Sequence, residues 1–146
     1  MTAGGCAVRR ATESDIPVMR RLWADFSAEA HYTPYPPGPF DPVLVRDHVA
    51  LVAEEDGEVV GTLYANLATA HFGYVFGVYT VPAVRGRGVG RALMQAIAVH
   101  LREQGREYVV LSVDTPNEGA REFYARLGFE DASRMLRVKV DRLLGD

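Results

Sequence analysis

One cysteine, Cys6, is all the thiol that the 146 residues carry, so the chain has no internal disulfide and no metal site built from cysteine pairs. A reducing compartment fits that usage, and a cytoplasmic location is the expectation. Long apolar runs are equally scarce. Nothing approaches the length of a membrane span, and the opening residues MTAGGCAVRR lack a hydrophobic signal core. Positive charge is not in excess either. Lysine and arginine total 16 against 19 acidic residues, a net charge of −3, which argues against a dedicated nucleic-acid binder whose affinity would rest on neutralising phosphates. No linker or repeat divides the chain. With 48% apolar and 24% charged residues, residues 1–146 read as a single globular domain around one core.

The pattern of residues gives the elements. Cys6 to Arg10 reads as a short first strand. Thr12 or Ser14 can cap a helix with Pro17 in its first turn, and Ile16, Met19, Leu22, Trp23 and Phe26 recur at three- and four-residue spacing along it. Prolines 34, 36, 37 and 39 end that helix and make HYTPYPPGPF a stiff aromatic loop. Asp41-Pro42 then opens a shorter helix through about residue 50. LVAEEDGEVVGTLYANLA is a hairpin turning at Asp56-Gly57. HFGYVFGVYTVP follows as a near-continuously apolar, central strand in which Gly73 and Gly77 mark a bulge or a close backbone approach. Val89, Leu93, Ile97 and Leu101 fall every four residues down a helix that Gly105 can end. EYVVLSVD reads as a strand buried on both sides, NEGAREFYARLG as a helix capped by Asn117 and ended by Gly128, and FEDASRMLRVKV as one or two closing strands. The sum is an α/β (α+β) domain with a mixed sheet.

VRGRGVGRAL spends three glycines at the mouth of a helix. A helix N-terminus has N–H groups without internal partners and a partial positive charge, and glycines let the backbone wrap an anion with no Cβ in the way. Arg85, Arg87 and Arg91 add full positive charge. The stretch therefore reads as a diphosphate cradle. A Walker loop would need Gly-Lys-Ser/Thr where Gly90-Arg91-Ala92 stands. A dinucleotide fingerprint would need a third glycine where Leu93 stands. A glycine-rich turn with no ligand is the plain alternative.

Arg85-Gly86-Arg87-Gly88-Val89-Gly90 fits a third pattern, R/Q-x-x-G-x-G/A, preceded by the strand VYTVP and followed by NEGAREFYARLGFE, which fits Asn-x-x-A-x-x-F-Y-x-x-L-G-F. With both motifs in this order and separation, the chain resembles the GNAT superfamily of N-acetyltransferases over nearly all of its length. The resemblance implies a mostly antiparallel central sheet of six to seven strands, splayed between its fourth and fifth, flanked by about four helices. It implies acetyl-CoA as cofactor, with its pyrophosphate on the backbone of Arg85, Gly86, Arg87, Gly88, Val89, Gly90 and Arg91 and its pantetheine arm along Val78, Tyr79 and Thr80. It implies that an N–H near Val78 or Tyr79 polarises the thioester carbonyl. Asn117 matches the asparagine that contacts the pantetheine arm, beside its role as a helix cap. Tyr124 matches the tyrosine that gives a proton to the leaving thiolate, against the ordinary reading of a tyrosine on an apolar helix face as core. Arg126 matches a phosphate contact or is a solvated helix arginine.

The function implied is transfer of an acetyl group to a primary amine directly within a ternary complex. The alternative is a non-catalytic acyl-CoA-binding or regulatory module on the same fold, because FGYVFGVYT lacks the acid that many family members carry on this strand. His71 is the nearest titratable group, a base or a structural histidine, and the base is left unassigned. The family's acceptor side corresponds to Trp23, Phe26, His31, Tyr32, Tyr35 and Phe40, with Glu29 as an attractor for a cationic amine or a solvated acid. The acceptor is a small molecule or a peptide. No nucleic acid, membrane or metal is expected, and strands near the C-terminus are free to pair in a homodimer.

Overall fold

The computed structural model describes residues 2–3, 5–30, 37–114 and 116–145. A single sheet carries the strands in the order β1 (Thr2–Ala3), β2 (Cys6–Arg10), β3 (Val49–Glu55), β4 (Glu58–Asn66), β5 (Phe72–Thr80) and β6 (Tyr108–Val110). All neighbours are antiparallel except β5 and β6, which run parallel. Chain order and sheet order coincide: β1–β2, β3–β4 and β4–β5 are joined by short turns, and β2–β3 by the segment that carries the first two helices. The parallel step needs a crossover, and the helix α3 (Val89–Glu103) supplies it.

The β3–β4 hairpin turns where the sequence places it. Asp56 and Gly57 take φ values of +51° and +80°, the mirror-image turn whose twist matches the strands it joins. The helix α1 (Ile16–Glu29) starts behind a single 3-10 turn at Glu13–Asp15, with Pro17 in its first turn. Asp41 accepts a hydrogen bond from the Val43 N–H at 3.0 Å and opens α2 (Val43–Arg46). That helix stops well short of residue 50, because Val49 and the residues after it are taken into β3 opposite Ala65 and its neighbours.

Two cores lie on opposite faces of the sheet. On one, Val89, Leu93, Ile97 and Leu101 of α3 are buried against Leu51, Ala53, Leu63 and Val75. On the other, Met19 of α1 packs with Phe40, Ala50, Val52 and Tyr64. Gly105, at φ +73°, closes α3 with a Schellman motif: its N–H bonds the Arg102 carbonyl and the Arg106 N–H bonds the Leu101 carbonyl. The helix α4 (Glu118–Arg126) lies against the α3-side core through Phe123, Tyr124 and Leu127.

The C-terminal part departs from the expected pattern. The strand expected over EYVVLSVD is three residues long, and Tyr108 is 64% exposed, so β6 is an edge strand and not one buried on both sides. FEDASRMLRVKV forms no strand: Met135, Leu136 and Val138 are exposed, and only α5 (Val140–Leu143) interrupts the irregular chain. Apolar alternation marks a capacity for strand, but a strand exists only where a neighbouring edge supplies the hydrogen bonds. The sheet thus has six strands at the low end of the expected number, one of them only two residues long, and the described residues form five α-helices, two of them single turns.

Candidate functional site

The site is built where β5 and β6 part. Their register runs Phe72 to Tyr108, Gly73 to Val109 and Tyr74 to Val110, and then stops. From Val75 to Thr80, the β6-side edge of β5 has no strand partner among the described residues. Leaving out the two-residue β1, these are the fourth and fifth strands expected from the sequence, and the gap falls where the splay was expected. An unpaired edge of a central strand offers a row of backbone N–H and C=O groups to an extended ligand.

A bulge shapes the same stretch. Thr62 faces Tyr79 and Tyr64 faces Phe76, so one residue of β4 opposes two of β5, Gly77 and Val78. Gly77 sits at φ +61°, and a Cβ there would lie 2.7 Å from Tyr64 Cδ2 and 3.0 Å from Trp23 Cζ3. Both readings of this glycine therefore hold: it makes the bulge, and it lets two aromatic rings approach the backbone. Thr62 Oγ1 donates to the Gly77 carbonyl at 3.3 Å.

β5 runs through a 3-10 turn at Pro82–Val84 into the glycine turn. Gly86 and Gly88 have φ values of +80° and +88°, and Gly88 is the N-cap of α3. The first rung across this cap runs from the Ala92 N–H to the Gly88 carbonyl, so the N–H groups of Val89, Gly90 and Arg91 precede the helical ladder. Nothing lies within 4 Å of the place a Cβ would take on Gly86. The N–H groups of Val89, Gly90 and Arg91, at the positive end of a fifteen-residue helix, could hold an anion such as a diphosphate. These residues fit the pyrophosphate of a coenzyme, and the free edge of Val78, Tyr79 and Thr80 fits the amide-bearing arm.

The three arginines do not act alike. Arg85 Nη2 donates to both Glu29 oxygens at 3.0 and 2.8 Å, and its Nε donates to the Thr80 carbonyl at 2.9 Å. Arg87 Nη2 donates to Glu55 at 2.9 and 3.1 Å. Arg91 is exposed and forms no ion pair with a described residue.

On α4, Asn117 caps the helix by accepting from the Ala120 N–H at 3.1 Å. Tyr124 lies half-buried, with ring centroids 5.0 Å from Phe123 and 5.4 Å from Phe129. Burial pushes its hydroxyl up to about 12, so it is protonated throughout the neutral range. Arg126 is exposed in the last turn.

The α1 face carries the aromatic wall. Trp23 packs with Phe26, Phe40 and Tyr64 at 5.7, 6.0 and 5.3 Å, Phe26 meets Tyr79 at 6.3 Å, and Trp23 Nε1 donates to the Gly38 carbonyl at 2.8 Å. His31, Tyr32 and Tyr35 lie outside the described residues. His71 is exposed beside the closed end of the β5–β6 pair, its carbonyl accepting from Glu107. Seven residues of extended chain separate it from Val78, about 20 Å, so the structure does not bring it to the open edge. The sequence reading missed Tyr64, Phe76 and His48. Tyr64 stacks on Phe76 at 5.7 Å, the His48 ring stands edge-on to Phe76 at 6.2 Å, and His48 Nδ1 is buried without a hydrogen-bond partner among the described residues. That Thr62 and Tyr64 share the α1-side face of β4 was legible in the alternation of TLYA; the approach of His48 was not.

Comparison with known proteins agrees with this geometry. A model of the acetyltransferase (GNAT) family matches residues 16–129. An uncharacterized N-acetyltransferase of Methanocaldococcus jannaschii is 35% identical over 86 residues, covering 55% of this chain and 38% of that protein. The mycothiol acetyltransferase of Propionibacterium freudenreichii is 40% identical over 90 residues, covering 62% and 25%. The chain thus spans well under half the length of these curated relatives. Among solved structures, AAC(6′)-Iy in complex with the bisubstrate analog CoA-S-monomethyl-acetylneamine superposes with a TM-score of 0.76 over 92% of this chain and 97% of that one, at 19% identity, which shows a shared fold. No helix among the described residues is long and apolar enough to cross a membrane.

Proposed function

This chain belongs to the GNAT family of acetyltransferases, and we propose that it is an acetyl-CoA-dependent N-acetyltransferase that moves the acetyl group directly to a primary amine within a ternary complex. The observation that carries the reading is the continuity of the free β5 edge with the glycine turn: the strand that ends at Thr80 runs through one 3-10 turn and the glycines to the donors that start at Val89. One ligand can occupy both only if it joins an extended, amide-bearing arm to a diphosphate.

Acetyl-CoA supplies an activated acyl group as a thioester. The chain's own residues do the rest. The N–H groups of Val89, Gly90 and Arg91 hold the diphosphate, and the edge of β5 lays the arm along the gap. An N–H of Val78 or Tyr79 donates to the carbonyl oxygen, where negative charge grows as the amine attacks. Tyr124 would donate its hydroxyl proton toward the departing sulfur, and the proton lost by the attacking nitrogen, passed through solvent, would restore the tyrosine. An ordinary thiol titrates near 8.5, well below Tyr124, but the apolar surroundings that raise the tyrosine also raise a thiol held beside it. The aromatic wall of Trp23, Phe26 and Phe40 borders the acceptor. The mycothiol and aminoglycoside acetyltransferases among the relatives and fold neighbours supply the first members of an acceptor panel.

The test is calorimetric titration with acetyl-CoA, followed by a thiol-release assay on that panel of amines. Saturable binding with turnover on at least one amine is the expected result. Binding with no turnover on any of them would favour the non-catalytic acyl-CoA module.

A further inference from the structure

The sequence offers the positive charge of Arg85 to a phosphate, yet the Arg85 side chain is occupied elsewhere. Its guanidinium lies between three elements. Nη2 forks onto both oxygens of Glu29, the last residue of α1. Nε holds the carbonyl of Thr80, the last residue of β5. The planar group also lies over the Tyr79 ring, 5.4 Å from its centroid. Tyr79 in turn meets Phe26, one helical turn before Glu29, edge to face. Burial and then the Glu29 charge raise the Tyr79 hydroxyl, with the Arg85 charge opposing them. Nε, Nη2 and one face of this guanidinium are thus engaged in four contacts, two to Glu29, one to Thr80 and one to the Tyr79 ring.

From this arrangement we propose that Arg85 is a positioning residue and not a phosphate ligand: with Glu29 it clasps the end of α1 to the junction of β5 and the glycine turn. The clasp rests on the reading of the turn as the coenzyme site, and it adds a role for that site. The wall that borders the acceptor, Trp23 and Phe26, is tied to the strand end that borders the coenzyme. Glu29, in the same step, is an internal partner of Arg85 and not a free attractor for a cationic amine. Nε and Nη2, set apart on one planar group, serve Thr80 and Glu29 at once, which the single nitrogen of a lysine cannot reproduce.

The test uses the whole chain with Arg85→Gln, Glu29→Gln and the double variant. Amide exchange read by mass spectrometry follows residues 26–30, with β3 and β4 as internal controls for intact folding, and calorimetry gives the affinity for coenzyme A. An exposed ion pair corresponds to about a two- to fivefold change in a local opening equilibrium. The clasp predicts that each single variant exchanges faster at residues 26–30 by about that factor, that the double variant is no faster than the faster single, and that all three bind coenzyme A within about fivefold of the parent. Arg85→Lys should restore less than half of the protection. A larger loss of affinity in Arg85→Gln, with Glu29→Gln near the parent, would make Arg85 a phosphate ligand and overturn the proposal; so would unchanged exchange in both singles. If the parent chain itself fails to bind coenzyme A, the coenzyme reading falls, while the exchange data, which need no ligand, still judge the clasp.

Discussion

Phe123 of α4 closes over Gly90 of α3: a Cβ on Gly90 would stand 3.1 Å from the tip of the Phe123 ring. The two glycine- and tyrosine-bearing motifs of the sequence therefore meet in space, and the helix start that offers N–H groups to an anion is packed directly by the residue preceding Tyr124. Gly90→Val should push α4 away from the turn and weaken acetyl-CoA binding by at least about tenfold, because a branched side chain adds bulk where contact is already tight. Calorimetry checks this; affinity equal to that of the parent would show that the packing of α4 on the turn is immaterial to binding.

Tyr124→Phe keeps the ring that packs between Phe123 and Phe129 and removes only the hydroxyl. The expected outcome is a fall in kcat of about a hundredfold, within the range for loss of a general acid, with coenzyme affinity changed by no more than about twofold. Steady-state rates with a responsive amine give the first number and calorimetry the second. Since the hydroxyl titrates at about 12, Tyr124 contributes no falling limb to the rate between neutral pH and the alkaline end of an ordinary assay. Unchanged turnover would remove Tyr124 from the chemistry.

Much of the fold was legible because it is local. The face of α3 made by Val89, Leu93, Ile97 and Leu101 is a four-residue repeat, and the Asp56-Gly57 turn is a two-residue signal. The glycine cradle was legible for the same reason: backbone freedom is written in single residues. What failed depends on partners distant in the chain. Val113 has strand chemistry, but β6 loses β5 after Val110, and Leu136 and Val138 have no strand edge beside them. The clasp was invisible for a related reason. Glu29 and Arg85 stand 56 residues apart, and nothing in either residue names the other. Likewise His48 reaches Phe76 only because β3 and β5 flank β4.

Gly77→Ala tests the bulge. The new methyl would meet Tyr64 and Trp23 at 2.7 and 3.0 Å on a backbone at φ +61°. Left-handed strain and overpacking together should cost about 2–5 kcal/mol, read from urea unfolding. A loss under about 0.5 kcal/mol, the scale of an ordinary surface substitution, would mean that the bulge relaxes without consequence.

Acid should act through Asp15. Arg9 donates to both of its oxygens at 2.8 and 2.9 Å, and this pairing, opposed by burial and helped by the Thr12 N–H, holds the buried carboxyl down at about 2. The folded value lies below the unfolded one of about 3.9, so the stabilisation, about 2 kcal/mol, is complete above the unfolded value and is lost as pH falls through the folded one. Asp15→Asn should therefore be less stable by about that amount near neutral pH, with a flatter stability profile between about pH 5 and 2. A variant as stable as the parent at neutral pH would contradict this.

The most direct test of the central claim is the amide spectrum of the isotopically labelled chain during titration with acetyl-CoA. Saturable shifts are expected to concentrate at Val78, Tyr79 and Thr80, on the stretch of β5 without a β6 partner, and from Gly86 through Arg91, at the glycine turn and the helix start. Saturable binding that leaves these amides unmoved, or no binding at all, would contradict it.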